Sequence, residues 1–285
     1  MIFLLRVLNK LKILKYFNFY SSIILNNKKF KIPVLQKIGF NNLFMSEPWM
    51  IDLLNSIVKI DRKGFVDIGV NVGQTLLKLK SVDETINYIG FEPNPSCVNY
   101  TKQLIELNQF PSCKLVPVGI SNENKLGVLN FYSISGTDAS ASVIPDFRKN
   151  ANIVSKEYVP LFDFEQIKES VDCKNFSILK IDVEGAEYEV LSSFYKAIEV
   201  NKPIILIEIL PVYNNRNVNR LERQVKIQEL LTKLNYSIFR VMKMDNIFEK
   251  IEEIEEIGIH ADMNMCEYVM VPDSKIDKLK SLLKN

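Results

Sequence analysis

The stretch Phe65-Val66-Asp67-Ile68-Gly69-Val70-Asn71-Val72-Gly73-Gln74 constrains the fold more than any other part of the chain. A short apolar run ends in a glycine turn and passes straight into a helical pattern over 75–80. Such a strand-turn-helix unit belongs to an open parallel sheet, whose ligands sit beyond the carboxyl ends of the strands. The alternation then continues. Strands are expected over 87–92, 113–120, 176–182 and 203–210, with helices over 96–108, 186–197 and 220–234. The 203–210 run is almost wholly apolar, as in a strand covered on both faces. Segments 236–242 and 266–271 read as a terminal strand pair. The expected fold is therefore α/β, a doubly wound and mostly parallel sheet. An insertion over roughly 121–175 separates the third and fourth strands. It holds a strand-like alternation over 126–134 and a small polar loop over 135–142.

Composition narrows the class. In 285 residues, 47% hydrophobic and 25% charged side chains exclude a disordered or fibrous chain. Thirty-six Lys and Arg against 34 Asp and Glu give a net charge of +2, which disfavours a nucleic-acid partner. Cys97, Cys113, Cys173 and Cys266 form no CxxC pair, and His260 is the single histidine, so a zinc cluster or redox dithiol is not expected and a reducing, cytoplasmic location is.

Residues 1–60 read as an extension. Leu4, Leu8, Leu11 and Leu14 recur at helical spacing among Arg6, Lys10, Lys12 and Lys15, so an amphipathic helix is expected within 1–20. It has two readings: a packing or homodimer contact, or a peripheral contact with the inner, anionic membrane face. Phe30-Lys31-Ile32-Pro33-Val34 reads as a short edge strand, and a helical pattern opens at Trp49.

Three strand ends carry the chemistry. Gly69 and Gly73 let a ligand approach the backbone, but the spacing is Gly-x-Asn-x-Gly and lacks the third glycine of a dinucleotide fingerprint. Asp67 suits an ammonium and repels a pyrophosphate. Glu92, followed by Pro93, stands where a carboxylate accepts both hydroxyls of a ribose. A ribose with an amino-acid head and no pyrophosphate points to S-adenosylmethionine rather than NAD. The fourth strand ends in Lys180-Ile181-Asp182-Val183-Glu184-Gly185, whose paired carboxylates serve as a general base, as holders of a divalent cation, or as helix caps. Glu208 repeats the acid one strand later, inside an apolar run, where a structural ion pair is the other reading.

Together the Phe65–Gln74 string, Gly90-Phe91-Glu92-Pro93, the 179–187 stretch Leu-Lys-Ile-Asp-Val-Glu-Gly-Ala-Glu and Ile207-Glu208 resemble the FkbM-type methyltransferases. The resemblance covers roughly 60–272, with Val70 where the family commonly has Ala. It implies a class I methyltransferase fold, Rossmann-like, with a seven-stranded sheet whose last strand is antiparallel and helices on both faces. It implies methyl transfer from S-adenosylmethionine to a hydroxyl oxygen. On this reading 61–285 is the methyltransferase domain, and Asp67, Gly69, Asn71, Gly73, Glu92 and Asp182 bind the cofactor. Asp182 is the first choice of base, with Glu184, Glu208 and His260 behind it. No metal is assigned, although a divalent cation would also assist deprotonation. The expected acceptor is a sugar or glycan-precursor hydroxyl, met by the 135–142 loop and by Tyr213, Asn214, Asn215 and Arg216. A nucleotide- or NAD-binding enzyme and a non-catalytic binding scaffold are the alternatives.

Overall fold

A computed structural model describes residues 2–145, 147–148 and 151–283, with side chains from Leu5 onward. Met1 and the side chains of Ile2, Phe3 and Leu4, part of the expected N-terminal helix, lie outside the described residues, as do positions 146, 149 and 150 of the insertion and 284–285 of the expected domain.

The chain opens with helix α1 (Ile2–Lys10) and a hairpin of β1 (Asn18–Leu25) and β2 (Lys28–Leu35), then α2 (Trp49–Ile57). The expected helix is short: Lys12 takes φ +58 and the chain is extended from Asn18. Asn26 and Asn27, at φ +47 and +62, make the tight turn that matches strand twist. β2 lies against α4 (Pro95–Asn108): Asn108 accepts from the Lys31 N–H at 2.7 Å and donates to its carbonyl at 2.8 Å. Leu25, Phe30, Ile32, Val34, Tyr100 and Leu104 bury a core of their own there. Leu11, Tyr16, Phe17, Tyr20 and Ile24 remain exposed. Among the described residues no helix is long and apolar enough to cross a membrane.

The central sheet follows the expected order. Its strands are β3 (Phe65–Ile68), β4 (Tyr88–Phe91), β5 (Cys113–Val116), β9 (Ile178–Ile181), β10 (Ile204–Glu208), β11 (Tyr236–Met244), β12 (Ile247–Ile254) and β13 (Glu267–Pro272). They lie in the order β12-β11-β13-β10-β9-β3-β4-β5. β3, β4, β5, β9 and β10 run parallel, and β13 inserts antiparallel between β10 and β11. These are the seven expected strands of a Rossmann-like methyltransferase fold. The eighth, β12, is an edge strand rich in Glu and Lys, the composition that guards a sheet edge against further pairing. That composition also hides it from a hydrophobic pattern. Helices α3 (Gln74–Val82), α6 (Glu187–Ser193), α7 (Tyr195–Asn201), α8 (Val218–Lys233) and α9 (Ile276–Leu283) complete the covering of the two faces, with separate apolar cores on either side.

The insertion is a small sheet. β6 (Gly119–Ile120), β7 (Lys125–Phe131) and β8 (Ser155–Phe162) order as β6-β8-β7, followed by the single turn α5 (Phe164–Ile167). The loop between β7 and β8 folds over the carboxyl edge of the central sheet.

Candidate active site

The glycine turn after β3 is built by steric necessity. Gly69 has φ +89, and a Cβ there would stand 1.9 Å from the Asp182 carbonyl oxygen. Only glycine lets the ends of β3 and β9 meet this closely. Gly73, at φ +73, seats the turn on α4, where a Cβ would come within 2.9 Å of Leu104. Asn71 takes φ +49; its carbonyl accepts from the Thr101 hydroxyl at 2.9 Å and its side-chain oxygen from the Cys97 thiol at 3.3 Å. The N-terminal extension grips the turn from behind, with Asn42 donating to the Val72 carbonyl at 2.7 Å.

Glu92 ends β4 and is buried. One oxygen accepts the Asn71 N–H at 2.7 Å and the other the Asn94 N–H at 2.8 Å. Burial nevertheless pushes its carboxyl up to about 7, against the pull of those two amides. Glu92 and the turn line a cavity of about 270 Å³, near the lower end of the usual range for small-molecule pockets. Ile120, Leu129, Ala141, Val143 and Leu161 supply an apolar wall from the insertion. Asn94 caps α4 through the Ser96 N–H and donates to the Gly136 carbonyl at 2.9 Å, tying the loop to the site.

The same cavity is also lined by Glu47, Lys180, Asp182, Glu184 and Glu208. Lys180, buried on β9, donates to Asp182 at 3.0 Å and stands 4.0 Å from Asp67. Burial works against its ammonium, but Asp182 and Asp67 outweigh burial and hold it above the usual lysine range. Glu47 takes φ +48 and pairs with the buried Lys78 at 2.6 Å. Glu208 is pushed up to about 9 by burial and then by the Asp182 and Glu184 charges. At neutral pH it is a neutral acid and a hydrogen-bond donor. Glu184, at φ +51, pairs with Arg148 at 2.6 Å, and its carbonyl accepts from the Ser142 hydroxyl at 2.7 Å. Behind it Glu187 accepts the Gly185 N–H at 2.7 Å, and burial pushes its carboxyl up to about 7.

Of the expected site residues, Gly69, Asn71, Glu92, Asp182, Glu184 and Glu208 line this one cavity. Asp67, Gly73 and His260 do not. Asp67 is wholly buried behind the turn, accepting from the Tyr88 hydroxyl at 2.8 Å, with burial pushing it up to about 6. His260 packs beside Arg240, with Nε2 3.3 Å from the Tyr268 hydroxyl oxygen, and burial followed by the Arg240 charge lowers its pKa. The loop over 135–142 contributes Asp138, Ala139 and Ala141 to the lining rather than its hydroxyls. Those hydroxyls are engaged at home: Ser140 donates to Asp138 at 2.7 Å, and Ser135 and Thr137 bond each other at 3.2 Å. Tyr213 faces a different cavity.

Sequence reasoning missed Lys180, Glu47 and Asp138. A lysine inside an apolar strand, two residues before an acid on the same face, was the available signal for Lys180. Glu47 carried none, because only the tertiary fold brings it to the cavity. Asp138 follows Gly136-Thr137 and accepts the N–H groups of Tyr132 at 2.7 Å and Ser133 at 2.8 Å, at the end of the preceding strand. All four cysteines are free thiols. Among the described residues no group of three or more His, Cys, Asp or Glu side chains is arranged to hold a metal ion.

The sequence profile of the methyltransferase FkbM domain matches residues 67–255. No curated protein matches the chain. Among solved structures, the chain is similar to methyltransferase FkbM from Methylobacillus flagellatus KT, with 14% identity, a TM-score of 0.45, and coverage of 73% of this chain and 43% of that one. The chain thus spans less than half of that protein's length. It is also similar to an O-methyltransferase from Bacillus cereus in complex with SAH, with 12% identity, a TM-score of 0.47 and coverage of 81% and 83%. An rRNA methylase from Streptococcus thermophilus aligns with 10% identity, a TM-score of 0.41 and coverage of 78% and 91%.

Proposed function

The chain belongs to the FkbM methyltransferase family, and from that premise we propose that it transfers a methyl group from S-adenosylmethionine to a hydroxyl oxygen of a sugar or glycan precursor. One observation carries the reading: Glu92, the glycine turn, Lys180, Asp182 and Glu208 line a single cavity.

The residues present fit the cofactor. Each Glu92 oxygen takes one backbone N–H and keeps a lone pair for a vicinal diol. Ile120, Leu129 and Leu161 give an apolar bed for a flat ring. Bound there, S-adenosylmethionine supplies an electrophilic methyl on a sulfonium, open to in-line displacement.

The chain's own part is alignment and proton handling. A sugar hydroxyl has a high pKa, so a base must take its proton as the bond forms. Asp182 lines the cavity and is held in one orientation by Lys180. We assign it as that base. Lys180 is a positioning residue, with Asp67 fixing its other side. Glu208, neutral at pH 7, donates a hydrogen bond to an acceptor oxygen and keeps a second negative charge away from Asp182. Glu47, Asp182 and Glu184 disfavour an anion at the reacting centre and suit a neutral polyhydroxylated group. Holding the reacting atoms in line supplies several kcal/mol of the barrier reduction.

Two measurements test this. By calorimetry, Glu92→Ala should weaken S-adenosylhomocysteine binding by about 1–3 kcal/mol, the range for lost charge-assisted hydrogen bonds; equal affinity overturns the cofactor assignment. In a deletion strain, mass spectrometry of glycans should show a sugar lacking one methyl substituent. An unchanged glycan profile beside an altered small metabolite overturns the acceptor.

A further inference from the structure

A second cavity, of about 680 Å³, opens on the other side of Glu184, between the insertion and the start of α8. Among the described residues, four cations line it, Arg148, Arg220, Arg223 and Lys226, and one carboxylate, Glu222. The wall between the two cavities is the Arg148–Glu184 pair, at 2.6 Å. On the same wall Phe147 packs over Gly185, where a Cβ would stand 2.6 Å from the ring.

The cations are held in place. Arg220 lies over the Phe147 ring at 4.5 Å and the Tyr213 ring at 5.7 Å, and it donates to the carbonyls of Pro211 at 3.2 Å and Phe147 at 3.5 Å. A guanidinium has five N–H donors, so these two carbonyls leave others to spare. Arg223 pairs with Glu189. Among the described residues, Arg220 and Lys226 have no salt-bridge partner; Lys226 lies 5.5 Å from the Tyr188 ring centre. A guanidinium fixed by aromatic stacking, beside an ammonium without a salt-bridge partner among the described residues, suits a multidentate oxyanion.

We propose that this cavity binds a phosphoester anion carried by the acceptor, so that the substrate is a glycosyl phosphate or diphosphate. The inference rests on the sugar-acceptor reading and deepens it. The acidic cavity takes the neutral sugar hydroxyl, and the basic cavity beyond Glu184 takes the anionic carrier. One acidic and one basic compartment sharing a wall orient such a molecule in a single direction. This explains why Tyr213, which follows β10, turns away from the acidic cavity: with Arg220 it builds the anion site. The anion can come from a nucleotide carrier or from a lipid carrier, which share the diphosphate chemistry.

The test is calorimetric titration of the full chain with inorganic pyrophosphate at fixed ionic strength, with S-adenosylhomocysteine titrated in parallel. Wild type should bind pyrophosphate, and the Arg220→Gln/Lys226→Gln double variant should bind it at least tenfold more weakly. S-adenosylhomocysteine affinity should stay within twofold. Where the double variant fails to fold, Lys226→Gln alone, an exposed change, should lose about threefold. No pyrophosphate binding by wild type, or equal binding by the variants, overturns the proposal. Glucuronate binding as tightly as pyrophosphate overturns it too, since the site would then read a sugar carboxylate. UDP binding above pyrophosphate supports a nucleotide carrier, and farnesyl diphosphate binding above it supports a lipid carrier. Pyrophosphate binding without any S-adenosylhomocysteine binding keeps the anion site and sinks the methyl-transfer reading instead.

Discussion

The two ends of the central cavity are made in different ways. At the Glu92 end the polar contacts are backbone: the N–H groups of Asn71 and Asn94 fix one carboxylate, and Gly69 lets two strand ends touch. At the Asp182 end they are side chains from distant parts of the chain: Glu47 from the extension, Lys180 on β9 with Asp182 just after it, and Glu208 from β10. The first end is fixed by shape and tolerates no Cβ. The second is held by ion pairs: Glu47 with Lys78, Asp182 with Lys180 and Glu184 with Arg148. A site divided this way keeps its cofactor geometry rigid while the acceptor end can diverge, since ligand-contacting surface is readily altered where the backbone is not at stake.

The largest effect that would sharpen this contrast is on turnover. Asp182→Asn should lower kcat by about 10²–10⁴-fold, the range for removing a general base. Affinity for S-adenosylhomocysteine should change by less than threefold, because the loss is confined to the transition state. Comparable losses in kcat and affinity would place Asp182 in the cofactor end and erase the division.

Next comes the charge balance itself. Lys180→Met keeps the bulk of a buried side chain but leaves Asp67 and Asp182 without their cation. Breaking one partner of a buried pair costs roughly 3–5 kcal/mol, read from urea unfolding. A loss below about 1 kcal/mol, the scale of an exposed pair, would show that charge does not hold this end together. Gly69→Ala applies the same measurement to the other end. Its Cβ would overlap the Asp182 carbonyl, at 1.9 Å, on a backbone of φ +89. We expect a loss of about 2–4 kcal/mol from strain and overpacking, with weakened cofactor binding. A Gly69→Ala protein of wild-type stability would mean that the two strand ends yield.

The same division sets what the sequence could tell. The Glu92 end is local: Asp67 to Gln74 is one strand-turn-helix, and Glu92 closes the following strand, so both are read from short windows. Even so, the local reading placed the Asp67 carboxylate toward a ligand, whereas alternation along β3 turns it to the buried face with Tyr88 and Lys180. Glu47 and Asp182 are separated by nearly half the chain, and no spacing rule joins them. The hairpin of β1 and β2 had a signal in Asn26-Asn27, a turn pair between β-branched and aromatic runs, but the basic leucine pattern before it pointed to a longer helix. β3, β9 and β10 were legible because burial on both faces writes nearly continuous apolar runs. β12, exposed and charged, writes none.

The smallest expected effect is on stability against pH. Glu208 has a folded pKa near 9 against an ordinary value of 4.5, with burial the main cause. The sign follows from linkage: between those values the unfolded chain binds fewer protons than the folded one, so stability falls as pH rises. The contribution is fully present below 4.5 and lost by about 9. Asp67, raised to about 6, and Glu92 and Glu187, raised to about 7, act with the same sign but lower in the range. From pH 7 to about 8.5 the decline reports Glu208 together with the last part of the Glu92 and Glu187 titrations and the onset of the four cysteines, whose thiols burial pushes up. Glu208→Gln keeps the neutral hydrogen-bonding group and should make the melting-temperature profile shallower over this window and, by the same linkage, between pH 5 and 7, where only the shares of Asp67, Glu92 and Glu187 remain. An unchanged slope above pH 7 would mean that Glu208 is already ionised there. The acceptor end would then carry one more negative charge beside Asp182, and Lys180 alone would have to balance both.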